Sequence, residues 1–320
     1  MHAGMFAKRP ASRTASARGA VLAKRIWKNR AYFLMLTPGI VYFLVYKYVP
    51  MYGAIIAFKD YDLLAGILRS PWAEPWYKHF QFFYESPYFT QLLTNTFLIS
   101  FYRLVFGMAP PIILAILFNE CRVRWFRSTI QTLSYMPHFL SWVIIYGILL
   151  AFLSQSTGLV NRWLAALGLD PVPFLTSTEW FRSILIGSDI WQGTGWGAII
   201  YLAAIAGVDG TLYEAARVDG ASRLRMIRHI TLPGIRNVII LLLILRLGHI
   251  LDAGFDQIYI MYNVQVYEVA DIIDTWVFRT GLERMNFSLA AAVGLFKSVI
   301  GFVLVLGANR LAKQWGEGIW

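Results

Sequence analysis

The sequence predicts an all-α integral-membrane protein, a bundle of six helical spans, and three observations carry that prediction. The 320 residues are 58% hydrophobic with a mean hydropathy of +0.53, more apolar than a soluble domain. Six apolar stretches, 32–56, 92–118, 132–153, 183–207, 236–258 and 288–311, each approach the ~20 residues a helix needs to cross a bilayer. The Lys and Arg residues between them are lopsided. Eighteen lie in the N-terminal segment, loop 119–130, the polar loop after the fourth span and the C-terminal tail, against seven in the three alternate loops. That bias places both termini and the polar loop in the cytoplasm, and it assigns the net charge of +11 to membrane topology rather than to nucleic acid.

Four segments follow from the spans. Residues 1–30 form a basic cytoplasmic segment, with Lys24, Arg25, Lys28 and Arg30 around Trp27 reading as a short interfacial helix. No small-residue cleavage site follows the first apolar run, so the expectation is a signal anchor rather than a cleaved leader. Residues 31–91 hold the first span and an aromatic outward loop with Trp72, Trp76 and Phe80, read as an interfacial belt ahead of a ligand surface. Residues 92–311 carry the other five spans, and 312–320 form a cytoplasmic tail. Between them a short helix is expected at 159–167, stopped by Gly168 and the Pro171-Val172-Pro173 turn, and an amphipathic helix carrying Glu268, Asp271 and Asp274. The single cysteine, Cys121, rules out an internal disulfide and speaks against a cysteine metal cluster.

The longest polar interruption of the second half is 211–235, TLYEAARVDGASRLRMIRHITLPGI. Its residues predict two short helices with a hinge. Thr211 and Glu214 have capping-box spacing, Ala215 and Ala216 favour helix, and Gly220 stands where a left-handed stop is wanted. Ser222 can cap a second helix with Leu224, Ile227 and Ile230 on one side. Arg223, Arg225, Arg228 and His229 fill most of the remainder, and Pro233 is expected to close the element after Leu232. A basic hairpin on the membrane surface offers itself to a soluble partner.

Ionisable residues within spans are costly and are functional candidates. In the fourth span Asp189, Gln192, Gly193 and Trp196 recur at i, i+3, i+4 and i+7, so they share a helix face. In the fifth, Arg246, His249, Ile250 and Ala253 repeat the pattern, with Asp252 and Asp256 beside them. Trp196 offers a face for a sugar ring, and the polar groups offer hydrogen bonds to hydroxyls or carboxylates. Polar stripes also hold helices together, and Gly193, Gly195 and Gly197 favour close packing, so both uses stay open. Arg103 and Lys297 show no partner in the sequence.

Glu214-Ala215-Ala216, Gly220 and the Ile230-x-Leu232-Pro233 run resemble, without a gap, the EAA loop of ABC-importer permease subunits. Most of the chain after residue 30 is similar to the sugar permeases of the maltose-transporter superfamily, in particular the LplB-type oligo- and polysaccharide subgroup. The phrases Ser188-Asp189-Ile190-Trp191, Gly254-Phe255-Asp256-Gln257 and Val269-Ala270-Asp271-Ile272-Ile273-Asp274-Thr275 carry it. The resemblance implies the type I ABC-importer permease (MetI-like) fold in a bacterial inner membrane. It implies a coupling helix in which Glu214, Ala215, Ala216, Asp219, Gly220, Arg223, Arg225, Ile230, Leu232 and Pro233 meet an ATPase subunit. The family's sugar-contacting positions fall on Asp189, Gln192, Gly193, Trp196, Arg246, His249, Ile250 and Ala253. The sequence departs at Ile227, where the family has an aromatic residue, and at Lys297, where relatives more often have an uncharged polar one. Basic side chains in the path, Lys297 included, suit an anionic sugar such as a uronate oligomer of the alginate type.

The implied partners are a homologous second permease, a pair of ABC ATPase subunits, an extracytoplasmic sugar-binding protein and the lipid bilayer, with no nucleic acid. No Gly-x-x-x-x-Gly-Lys-[Ser/Thr] run is present, so no cofactor is expected on this chain and ATP and Mg would be held by the ATPases. No catalytic or metal residue is assigned. The competing classes are an ion-coupled secondary transporter using Asp189 and Asp252, an ABC permease for a non-sugar solute, and a membrane glycosyltransferase. The last fits poorly, since Asp209 and Asp219 are separated by a helix.

Overall fold

The structure, a computed structural model, describes residues 27–248 and 250–314. The chain divides into two units, Met1–Ile55 and Ile56–Trp320. Helix α1 (Arg30–Phe58) starts in the first and has no buried residue from Arg30 to Met51. Pro50 cannot donate a backbone bond, and the helix widens into a π turn at Leu44–Tyr48 just before it. A stretch this apolar suits lipid. The guanidinium of Arg30 lies 5.2 Å from the Trp27 ring, whereas Lys24 and Arg25 of the expected interfacial helix lie outside the described residues.

The second unit begins its long elements with α2 (Phe89–Glu120), which is unbroken although Pro110 and Pro111 sit inside it. Next come α3 (Arg124–Tyr135) and α4 (Trp142–Leu153), which meet at 108°. A straight third span over 132–153 is therefore corrected to a broken one. Pro137 removes a helical donor, Leu140 is extended, and the Ser141 side chain restarts the helix by accepting from Ile144 N at 3.4 Å. Helix α5 (Leu159–Ala166) stops before Gly168, whose φ is +76°, as its sequence predicts. Helix α6 (Thr178–Ala206) starts at the Ser177 cap and stops at Gly207.

Helices α7 (Gly210–Val218) and α8 (Arg223–Gly234) form the polar hairpin, and α9 (Arg236–Gly248) leaves it at 57° to α8. The expected fifth span, 236–258, is not one helix. Ala253 and Gly254 both have positive φ, and a separate α10 (Phe255–Met261) follows. The expected helix carrying Glu268, Asp271 and Asp274 is also two pieces: Tyr267–Ala270 and α11 (Ile273–Phe278), with Asp271 extended between them. Helix α12 (Phe287–Gln314) ends the described chain. By length and composition α1, α2 and Phe287–Gly307 can each cross a membrane, and counting three bent pairs as spans brings the total to six.

Helices α2 and α6 pack along most of their length. At the hairpin end Ala115 and Phe118 meet Ala198, Tyr201 and Ile205, together with the fully buried Ile235. Small residues set this approach. A Cβ on Gly197 would lie 3.1 Å from Pro111 Cβ, and one on Gly195 would overlap the Ser134 backbone, whereas one on Gly193 would meet nothing within 4 Å. At the opposite end, side chains tie down non-helical backbone. Asn95 donates to the carbonyls of Glu268 and Asp271 at 2.9 Å. Arg182 bonds Asn95 Oδ1 at 2.6 Å and Val269 O at 3.0 Å, and Thr96 Oγ1 accepts from Ile273 N at 3.0 Å. Irregular backbone at this depth is stable only when its polar groups are met in this way.

Candidate translocation path and coupling hairpin

Midway along α2 and α6 lies a cavity of about 490 Å³ lined from three directions. Helix α2 contributes Ser100 and Arg103, α6 contributes Asp189 and Gly193, and α9 with the turn after it contributes Arg246, Ile250, Asp252, Ala253 and Gly254. Five of the sequence-predicted path residues thus converge: Asp189, Gly193, Arg246, Ile250 and Ala253. His249 lies outside the described residues. The reason for the convergence differs from the expected one. Asp189 and Gly193 share a face of a continuous helix, but Ile250 and Ala253 reach the cavity because the fifth span unwinds after Gly248.

Arg103, which the sequence left without a partner, is the centre of this cavity. Its side chain is 14% exposed and lies 3.5 Å from the Asp189 carboxylate. A second guanidinium nitrogen bonds Gln257 Oε1. Gln257 is fully buried and donates to Leu185 O at 2.9 Å and Ser188 Oγ at 2.8 Å, so its amide is fixed from α6. A Cβ on Gly254 would fall on the Arg103 guanidinium, so this glycine serves both the left-handed turn, φ +81°, and the close approach. Partners more than eighty residues away in sequence leave no local signal; the α6 and α10 phrases hid the acceptors in separate motifs.

Three other predicted path residues are not among those lining the cavity. Gln192 donates to Leu140 O at 3.1 Å, in the break of the third span. Trp196 stacks on His138, with centroids 4.6 Å apart and planes 5° apart, so one indole face is already covered. Lys297 is not an open cation: it bonds Asp252 at 2.9 Å and Asp274 at 2.8 Å. That bridge ties α12 to the unwound turn and to α11. Lys297, expected in the path, is thus paired with two carboxylates.

The hairpin keeps its sequence reading in outline and changes it at the ends. The N-cap of α7 is Asp209, whose carboxylate accepts from Thr211 N at 2.9 Å; Thr211 itself lies inside the helix. That backbone bond holds the Asp209 carboxyl below its usual range. Gly220 has φ +70°, and Ala221 N returns to Ala216 O at 2.8 Å, closing α7. Ser222 occupies the cap position of α8 without a side-chain bond. Pro233 does not end the element: α8 runs through it by way of a π turn at Ile227–Thr231, and the bend falls at Ile235. Tyr213 and the buried Thr231 share a hydrogen bond of 2.9 Å that locks the two arms together. Glu214, Ala215, Asp219, Gly220, Arg223, Arg225 and Pro233 are exposed, while Ala216, Ile230 and Leu232 are half-buried. Val218 at 88% and Leu224 at 75% exposure put apolar side chains on the same surface, a feature outside the predicted set.

At the other end of the molecule Arg279 bonds both oxygens of the buried Asp271, at 3.1 and 2.6 Å, and lies over the Tyr267 ring. Burial alone would lower the Arg279 pKa, but the Asp271 bonds outweigh it and the net direction is upward.

Membrane-length helices, a cavity with charged side chains at their middle and an exposed basic hairpin joining two of the helices that line it define an integral-membrane transport subunit. Residues 107–315 match the family described as binding-protein-dependent transport system inner membrane component. The chain is 46% identical over 293 residues to the polygalacturonan/rhamnogalacturonan transport system permease protein YteP of Bacillus subtilis, covering 92% of this chain and 91% of that one. It is 43% identical over 310 residues to protein LplB of the same organism, covering 97% of each. Among solved structures, a chain of a bacterial ABC transporter involved in import of the acidic polysaccharide alginate superposes with a TM-score of 0.84 at 43% identity, over 92% of this chain and 98% of that one. The chain belongs to the family of binding-protein-dependent transport system inner membrane components: it is an ABC-importer permease subunit of MetI-like fold. It is a transport subunit rather than an enzyme, and ATP hydrolysis resides on a separate subunit.

Proposed function

We propose that this chain forms half of the path through which an acidic oligo- or polysaccharide enters the cell by alternating access. The observation that carries the reading is the mid-span cavity, which Arg103 and Arg246 line from two helices, Arg103 beside the Asp189 carboxylate and Asp252 bonded to Lys297. Guanidinium groups bind carboxylates in a fork geometry that a neutral sugar cannot use. The similarity to permeases named for polygalacturonan/rhamnogalacturonan and to an alginate importer supports the same substrate class. No observation favours an ion-coupled carrier or a non-sugar solute.

In this reading the hairpin at Glu214–Pro233 docks on an ATPase subunit, with Glu214, Gly220 and the apolar Val218 and Leu224 at the contact. Both termini and the hairpin are cytoplasmic, following the charge bias. A second permease completes the path, two ATPases hold ATP and Mg, and a sugar-binding protein delivers the substrate. A related alginate transporter in complex with its alginate pentasaccharide-bound periplasmic protein supports that last partner. Because α6 and α9 leave the hairpin directly, its movement is transmitted to both walls of the cavity. The substrate biases the transport cycle only through unequal affinity for its two states.

Co-purification tests the coupling. Glu214→Lys and Gly220→Val are expected to lose the ATPase subunit while the permease still inserts in the membrane. Recovery of the ATPase at wild-type yield with both variants would overturn the docking assignment.

A further inference from the structure

We propose that Arg103 is the carboxylate receptor of the path and that Asp189 is its built-in competitor, an internal carboxylate that a uronate of the incoming sugar displaces. The inference rests on the acidic-sugar reading above and names the residue that enforces it. Arg103 is not among the positions the family resemblance assigns to sugar contact.

Four observations converge on it. The Arg103–Asp189 separation of 3.5 Å is an ion pair but longer than a close charge-assisted hydrogen bond, so the carboxylate is loosely held. The guanidinium is instead fixed from behind, by Gln257 and by the close approach to Gly254. Arg103 Nε and Ser100 Oγ, one turn apart on α2 and lining the same cavity, are buried and have no hydrogen-bond partner among the described residues. Buried polar groups of this kind are seldom left unmet, and here both belong to residues that line the cavity. Finally, Arg246 lies across α2 within 3.4 Å of a Cβ placed on Gly107, one turn beyond Arg103, and no carboxylate among the described residues lies within 4 Å of it.

A lone guanidinium in the middle of the membrane is too costly to leave uncompensated. Asp189 neutralises it when the path is empty. A sugar carboxylate can take over that role and add a fork contact, with Arg246 receiving the displaced charge and Ser100 a hydroxyl. A neutral sugar has no group to exchange and must leave the Arg103–Asp189 pair closed. The pair therefore acts as a selectivity filter as well as a charge balance.

The test is uptake by the complete importer in proteoliposomes, with trigalacturonate and its uncharged methyl ester as substrates and the same binding protein throughout. Arg103→Gln is expected to raise KM for the acid by about tenfold, the worth of one charge-assisted bond, and to shrink the acid-to-ester preference by a similar factor. Asp189→Asn is expected to move KM for the acid the other way, because the competitor is gone, while slowing release. The double variant R103Q/D189N removes both charges together and is expected to carry acid and ester alike, which separates loss of selectivity from failure to fold. An unchanged acid-to-ester ratio in R103Q and in the double variant would overturn the proposal. So would a KM that rises in D189N as it does in R103Q, since that is the signature of a purely structural pair. If the wild-type importer carries no acidic oligosaccharide at all, the reading of the substrate class falls, and this inference with it.

Discussion

The two spans that flank the hairpin carry the same polar period in sequence and solve it in opposite ways. Helix α6 is continuous from Thr178 to Ala206, so Asp189 and Gly193 face the cavity as the period requires. The fifth span stops at Gly248, and its second half turns through Ala253 and Gly254 before α10 begins. What distinguishes them is the load placed on the backbone. Around Gly193 there is open space, whereas at Gly254 a buried guanidinium presses against the main chain. Spacing of polar residues reports which side chains can share a face only where the helix survives. Past Gly248, a left-handed glycine held against a distant charge keeps the chain off the helical path.

Substitutions at those two glycines break the comparison most sharply. Gly254→Ala forces a side chain into a left-handed turn and onto Arg103. It is expected to cost on the order of 1–3 kcal/mol from strain alone, with further loss as the guanidinium moves. Gly193→Ala should stay within about 0.5 kcal/mol. Thermal unfolding of the purified complex checks both, and equal midpoints would show that the turn is not held as described.

The Lys297 bridge sharpens the comparison from the other side. It anchors the unwound turn to α12 and α11. Lys297→Met strands Asp274, which is 24% exposed, and is expected to lower stability by roughly 2 kcal/mol. Asp252→Asn should cost less than about 1 kcal/mol, because that carboxylate is 56% exposed and solvent screens the pair. A larger loss from Asp252→Asn than from Lys297→Met would reverse the assignment of Asp274 as the main anchor.

A more local effect lies on the continuous span. Gln192→Ala removes one bond to Leu140 O in the broken third span and should cost about 1 kcal/mol. The corresponding readout is faster amide exchange across residues 136–141. Unchanged exchange there would mean that α6 does not support the break.

The hairpin shows how far local chemistry carries. Gly220 in its left-handed stop and the two-helix outline follow from residues within a few positions of one another, and they were legible. The cap moved from Thr211 to Asp209 because either side chain can serve, and only the backbone trajectory out of Gly207 chooses between them. Pro233 misled for a related reason: a π turn ending two residues earlier, at Thr231, had already released the bond that proline cannot make. In the cavity the predicted set held Asp189, Gly193, Arg246, Ile250 and Ala253 but missed Arg103, whose partners come from α6 and α10.

Composition, apolar run length and charge asymmetry were enough, by themselves, to define an all-helical membrane protein of six spans with a basic surface hairpin. Those properties depend on how a segment partitions between water and lipid, which is a sum over its own residues. Tertiary structure alone decided where the spans break, which cation meets which carboxylate, and that Lys297 is a bridge while Arg103 faces the cavity. Those outcomes depend on charges that approach within a few ångströms only after helices far apart in sequence have packed, and a one-dimensional pattern contains no such distance.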